Sequence, residues 1–360
     1  MRKLDGYSSI FLDSIRLICA LIVVIGHCRQ ILAPDWHVQT GIFDLGHGAV
    51  IVFFVLSGFV IAHTVTSKKR TINNYLVARF SRLYSIYAPA LLITLFCALL
   101  SFFINKSIYF QYDRGNNILR YFLTLFFCNE LWFSSTAPPI NGPFWSLSFE
   151  FWYYIIFALV YFKWGNLRGM FALALVCLFI GPKILAMFPI WCFGWFAYKI
   201  KTLNIRPFIA RIISLLFLVT AVLLMKILPE YPNKVGYKPL YMANAFISDM
   251  LTGFFAAISM WFLPTNTERR LNNSASVSRF RFYANLTYPL YLLHFPILVL
   301  LSTILHNYNF AAINNYFIGL VSTLILCFLL GAFFEREKGF WDHLFQKEYI
   351  KKVNGYTLEK

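Results

Sequence analysis

Apolar residues fall into eleven blocks separated by short polar connections: 12–33, 46–66, 84–105, 118–133, 143–162, 169–186, 187–200, 209–228, 242–263, 285–305 and 312–334. Blocks near 20 residues read as membrane helices, because a helix satisfies its own backbone polar groups in hydrocarbon. Block 118–133 is short and runs into Asn129, Glu130 and the turn-rich stretch from Ser134 to Gly142, which predicts a re-entrant or surface-lying segment. Blocks 169–186 and 187–200 form a tight, short pair around Gly181, Pro182 and Pro189. Setting the fourth block aside leaves ten spans, eleven being the upper count, with both termini on one side.

Composition agrees with an all-α, polytopic transmembrane bundle. Hydrophobic residues make up 59% of the 360 and charged ones 13%, against about 25% charged in soluble domains, and the mean hydropathy is +0.63. Residues 1–345 read as one membrane domain and 346–360 as a C-terminal tail. Arg2 and Lys3 precede an apolar run as in a secretory signal, but no A-x-A-like cleavage site follows, so this run is expected to stay as the first span. The seven cysteines show no C-x-x-C spacing and read as small core residues.

Basic residues set the expected orientation. With ten spans, 23 of the 32 Lys and Arg fall on the side of the termini and 7 on the other, Arg16 and Arg29 lying in the first span. The positive-inside rule then places both termini in the cytoplasm. The formal charge of +17 is therefore largely a matter of topology, and a nucleic-acid partner is not expected because no binding module accompanies it.

The candidate chemistry begins in the first span, where Arg16 and His27 are eleven residues apart, with Asp13 one turn before the arginine. Eleven residues make three turns plus roughly 20°, so both side chains occupy one stripe about 16 Å apart. Ionisable groups inside a span mark functional paths by default; snorkelling of Arg16 and an interfacial His27 are the plain alternatives. Arg79 and Arg82 share a helix face and suit phosphate oxygens, or serve topology alone. Glu150 fits a partner for an arginine or for the histidine, or a helix N-terminal acid favoured by the macrodipole. His294 sits halfway along its span, where an interhelical hydrogen bond would satisfy it. His37, His47 and His63 read as loop histidines, and Trp132, Phe133, Phe144 and Trp145 as an aromatic cluster suited to a sugar or to a membrane interface. No metal site is expected.

Four stretches combine into a recognisable order. They are Arg16 to His27, the segment Phe53-Phe54-Val55-Leu56-Ser57-Gly58-Phe59, the segment Trp145-Ser146-Leu147-Ser148-Phe149-Glu150, and the run from Tyr288 to Pro296. Together they resemble the acyltransferase 3 family of integral membrane O-acyltransferases, over nearly the whole chain. The family's R-x(10)-H element falls on Arg16 and His27, its R-x-x-R element on Arg79 and Arg82, and its closing segment on Glu337, Lys338 and Phe340. Gly339 stands where that segment usually has proline, and Ile51 where many members carry an acid.

The resemblance implies transfer of an acyl group, usually acetyl from acetyl-CoA, onto a hydroxyl of a carbohydrate such as lipopolysaccharide O antigen or exopolysaccharide. It further implies a bacterial inner-membrane protein of the stand-alone type, without an added hydrolase-like domain. In that chemistry His27 is the expected base, with Arg16 orienting the donor or stabilising charge. Arg79 and Arg82 are the expected acyl-CoA-binding pair, Glu150 a further catalytic candidate, and His294, Trp145 and Glu337 acceptor or structural candidates. A polysaccharide or lipid-linked sugar flippase is the runner-up, since it too would carry many spans and few intramembrane charges.

Overall fold

The computed structural model describes residues 6–34, 45–68, 71–264, 275–308 and 310–355; His37, Lys69, Arg70, Arg269 and Arg270 lie outside the described residues. Among those described there is no strand. The helices are α1 (Gly6–Leu32), α2 (Gly46–Lys68), α3 (Ile72–Ile104), α4 (Lys106–Tyr112), α5 (Asn117–Leu125), α6 (Phe144–Lys163), α7 (Leu167–Ile180), α8 (Pro182–Lys199), α9 (Pro207–Ile227), α10 (Phe246–Trp261), α11 (Ala275–Asn285), α12 (Thr287–Leu305) and α13 (Ala312–Gly355).

Seven of these, α1, α2, α3, α6, α9, α12 and α13, are long and apolar enough to cross a membrane. The block at 118–133 forms only the nine-residue α5 followed by a loop, which at about 1.5 Å per residue is too short to span. Helices α7 and α8 meet at a 118° bend and make at most an eighth span if taken as one broken element, while α10 is a shorter apolar helix. The bend has a local cause. Gly181 takes φ 78° and ψ −177°, a conformation open essentially to glycine, and Pro182 starts α8 at the position where its missing N–H costs nothing. A side chain at Gly181 would also strike the indole of Trp132, 2.7 Å away.

Helix α2 is central, packing on α1, α8 and α10, while α12 packs on α1, α3 and α13. Of the most apolar window of each helix, 72% is buried in α2 and 67% in α12, against 17% in α9. Helix α9 accordingly presents Leu215, Leu216 and Leu223 outward as a peripheral, lipid-type surface. Contact between α2 and α8 is made by backbone. A Cβ on Gly58 would lie 2.1 Å from the Trp191 carbonyl oxygen, and one on Gly194 would lie 1.8 Å from that of Val55. Small residues permit such approach where no hydrophobic effect draws helices together.

The segment from Phe126 to Pro143 folds inward. Phe127 stacks between Tyr87 and Phe151, with ring centroids at 4.1 and 4.3 Å. Its carbonyl accepts hydrogen bonds from Trp152 Nε1 at 2.9 Å and from Ser148 Oγ. Asn141 Nδ2 donates to Thr94 Oγ1 at 2.9 Å and to the Leu292 carbonyl at 3.0 Å. Glu130, fully buried, pairs with the equally buried Lys183 at the start of α8. Packing makes Lys183 the counter-ion of a buried carboxylate, since neither charge is tolerable alone in such a place.

Candidate functional site

Two cavities open inside the bundle, and they differ in chemistry. The arginine cavity, about 90 Å³, is lined by Arg16 of α1, Ser57 of α2, Arg79 and Arg82 of α3, and Glu150 and Tyr154 of α6. The histidine cavity, about 400 Å³, is lined by His27 of α1, His47 of α2, Trp145 of α6, Phe295 of α12, by Arg114 and Arg120, and by much of the segment from Ser135 to Pro143. Val50 and Tyr291 line both, so they form the wall between them.

Three guanidiniums thus share the arginine cavity with one carboxylate, Glu150. Asp13 engages Arg16 at 3.6 Å on the same helix. Arg79 is buried, with its guanidinium 5.9 Å from the ring centres of both Tyr75 and Tyr154, whereas Arg82 is exposed toward the cavity mouth. Thr71 caps α3 by accepting from Asn74 N at 3.3 Å, which sets the first turns and so the shared face of the two arginines. Glu150 Oε1 accepts from Ser57 Oγ at 2.7 Å and from Tyr154 OH at 2.5 Å, and Trp191 Nε1 donates to Ser57 Oγ at 3.3 Å. The carboxylate is therefore fixed, and the excess of cations suits a multiply charged anion such as a phosphate ester.

Glu150 is the seventh residue of α6, which begins at Phe144. The macrodipole acts within the first turn, so the helix-terminus reading does not apply to it. Nor does it orient His27, which has a different partner.

In the histidine cavity, His27 Nδ1 lies 2.9 Å from His294 Nε2, and His294 Nδ1 lies 3.1 Å from the Leu290 carbonyl oxygen. The two rings are nearly parallel, at 11°, and Phe295 meets His27 edge-on at 5.0 Å. A carbonyl only accepts, so His294 Nδ1 carries the proton and donates it. With both rings neutral, His294 Nε2 is then an acceptor, and His27 Nδ1 must donate to it. The chain of bonds leaves His27 Nε2 with an unshared pair, the state that a base or nucleophile requires.

Several readings from the sequence change here. His47 and His63 are not loop residues; both lie in α2. His47 Nε2 is 2.9 Å from Asp249 Oδ2 of α10, and His63 Nδ1 is 3.3 Å from Tyr198 OH. Phe144 is fully buried in the core and Trp145 nearly so, the latter stacked against His47 at 6.0 Å and 18°, while Trp132 and Phe133 are exposed elsewhere. The interface-loop cluster is thus two separate pairs. Glu337 lies exposed on α13 and lines neither cavity. His47, Asp249, Tyr154 and Tyr291 were not singled out as site residues; Asp249, a lone carboxylate inside an apolar block, is the one that carried a usable signal.

The model of a family described as an acyltransferase domain, acyltransferase 3, matches residues 9–332. The chain is also similar to "Protein 2 in picA locus" of Rhizobium radiobacter, 41% identical over 86 residues, which are 23% of this chain and 41% of that protein. No solved structure matches it.

Proposed function

The chain belongs to the acyltransferase 3 family, a multi-pass membrane acyltransferase by fold and family match, and from that premise we propose that it moves an acetyl group from acetyl-CoA to a hydroxyl of a cell-surface carbohydrate. The single observation that carries this reading is the pair of cavities, one holding three clustered arginines and one holding an imidazole with a free lone pair, divided by Val50 and Tyr291. Arg79 and Arg82 hold the coenzyme A phosphates, and Arg16, steadied by Asp13, balances charge on the donor. Glu150, held by Ser57 and Tyr154, places a fixed negative charge in the same cavity. The acceptor enters the histidine cavity, where His27 Nε2 takes the proton of the attacking hydroxyl as its oxygen bonds to the thioester carbon and the carbon–sulfur bond breaks.

Orientation follows from charge. The arginine cavity opens at the end of the bundle where α3 begins, beside the basic residues that the positive-inside rule assigns to the cytoplasm. An even number of spans, cytoplasmic termini and a bacterial inner membrane are the topology this reading adopts, with an O antigen or exopolysaccharide as acceptor. Purified protein incubated with radiolabelled acetyl-CoA and glycan is expected to yield acylated glycan, and His27→Ala to insert normally, bind donor and yield none. A flippase would give no acylated product in either case, and transfer by His27→Ala would remove the assigned base. Mass spectrometry of surface glycan from cells with and without the protein identifies acyl group and acceptor together.

A further inference from the structure

The mechanism above leaves one half-buried, carboxylate-backed histidine unused. His47 lines the same cavity as His27, and its Nε2 is held at 2.9 Å by Oδ2 of Asp249, a nearly buried carboxylate at the start of the apolar helix α10. A carboxylate accepts, so Nε2 carries the proton, and in the neutral ring Nδ1 is left as an acceptor. Asp249 is the one partner His47 has by hydrogen bond among the described residues. The indole of Trp145 lies along the imidazole at 18° and backs it on one side. A carboxylate in an apolar helix is costly unless it serves a function, and this one fixes the tautomer and direction of a ring that faces the acceptor's cavity.

We propose that His47 is an acceptor-binding residue: its Nδ1 takes a hydrogen bond from one hydroxyl of a polyhydroxylated sugar ring and so presents another hydroxyl of that ring to His27. Asp249 is the positioning residue that acts through it. The proposal rests on the acyl-transfer reading and deepens it, because it names the recognised feature as a polyol rather than a lone alcohol. Wall geometry fits this division. His27 and His47 come from different helices, α1 and α2, yet line one cavity, with Tyr291 between them and the cluster of Arg16, Arg79 and Arg82, so contacts to that cluster and to the histidines do not compete for the same side chains.

The test is steady-state transfer from acetyl-CoA to purified glycan by the full-length protein, with donor affinity measured separately by calorimetry. His47→Leu is expected to raise the KM for glycan about tenfold, the loss of one hydrogen bond, while leaving acetyl-CoA affinity unchanged. Asp249→Asn is expected to raise KM in the same direction. His47→Asn, whose side-chain oxygen falls near the lost Nδ1, is expected to recover part of the loss. An unchanged KM for glycan in His47→Leu overturns the proposal alone. So does a loss of donor affinity alongside it, which would mark the pair as a bolt between α2 and α10, and so does failure of His47→Asn to recover. Absence of transfer by the unaltered protein overturns the acyl-transfer reading and this one with it.

Discussion

Replacing His294 by leucine removes the acceptor of the His27 Nδ1–H bond while filling most of the buried volume, and the structure bounds what that costs. His294 is fully buried, and its own Nδ1–H is anchored on the Leu290 carbonyl, so no rotation of neighbours replaces it. The floor of the effect is one orphaned buried donor, about 1–3 kcal/mol or roughly five- to 150-fold. Its ceiling is set by the tautomer. Without His294, the His27 proton is free to move to Nε2, and in hydrolase triads a wrongly placed imidazole proton lowers kcat by about 10⁴. His294→Leu is therefore expected to lower kcat by between these limits, with KM for acetyl-CoA and for glycan unchanged, because neither substrate contacts His294. His294→Gln, whose side-chain oxygen can accept from Nδ1–H, is expected to fall less. The assay is label transfer from acetyl-CoA to glycan by protein in detergent or lipid discs, with both substrates varied. A kcat reduced by less than the about fivefold floor would refute the relay from Leu290 through His294 to His27.

Arg82→Ala, which removes an exposed cation from the arginine cavity, should weaken acetyl-CoA binding by about ten- to 150-fold, the loss of a charge-assisted hydrogen bond, with little change in melting temperature; equal donor affinity in a titration would end the phosphate assignment. Glu130→Gln or Lys183→Met alone leaves an uncompensated buried charge and should cost about 3–5 kcal/mol of stability, whereas pairing the two changes should recover most of it. Single variants that melt with the wild-type protein would show that the pair carries no such weight.

Much of this architecture was readable in the order of residues, for definite reasons. The eleven-residue interval from Arg16 to His27 keeps both on one face of α1, and the structure sends one into each cavity. The shortness of block 118–133 predicted that it does not cross, and α5 is nine residues long. What stayed hidden is pairing between distant segments. Nothing local to His294 announces that it meets His27 across 267 positions, nor that Lys183 meets Glu130 across 53. His47 was misread because it lies one residue into α2, where apolar patterning has barely begun and a helix start looks like a loop. The reversal at Gly181 was visible as punctuation, but neither its 118° angle nor the packing of Trp132 beside the glycine was.

The separation of the two cavities also constrains the donor. Along α1, Arg16 and His27 are about 16 Å apart at 1.5 Å per residue, and Arg16, Arg79 and Arg82 lie on one side of the wall formed by Val50 and Tyr291, with Arg114 and Arg120 on the His27 side. A donor gripped by its phosphates reaches His27 only if a long, narrow, uncharged arm separates them from the reactive carbonyl. Coenzyme A thioesters have such an arm; a compact acyl phosphate does not, and would sit among the arginines with its carbonyl far from the imidazole. Tyr291 is tied to Ser146 Oγ at 2.8 Å and flanked by Phe53 and His294, with ring centroids at 6.0 and 5.9 Å, so the wall between the cavities has fixed partners on both sides. On the proposed reading the wall would part the three phosphate-binding arginines from the histidine, the division of labour that transfer between two aqueous sides of a membrane requires.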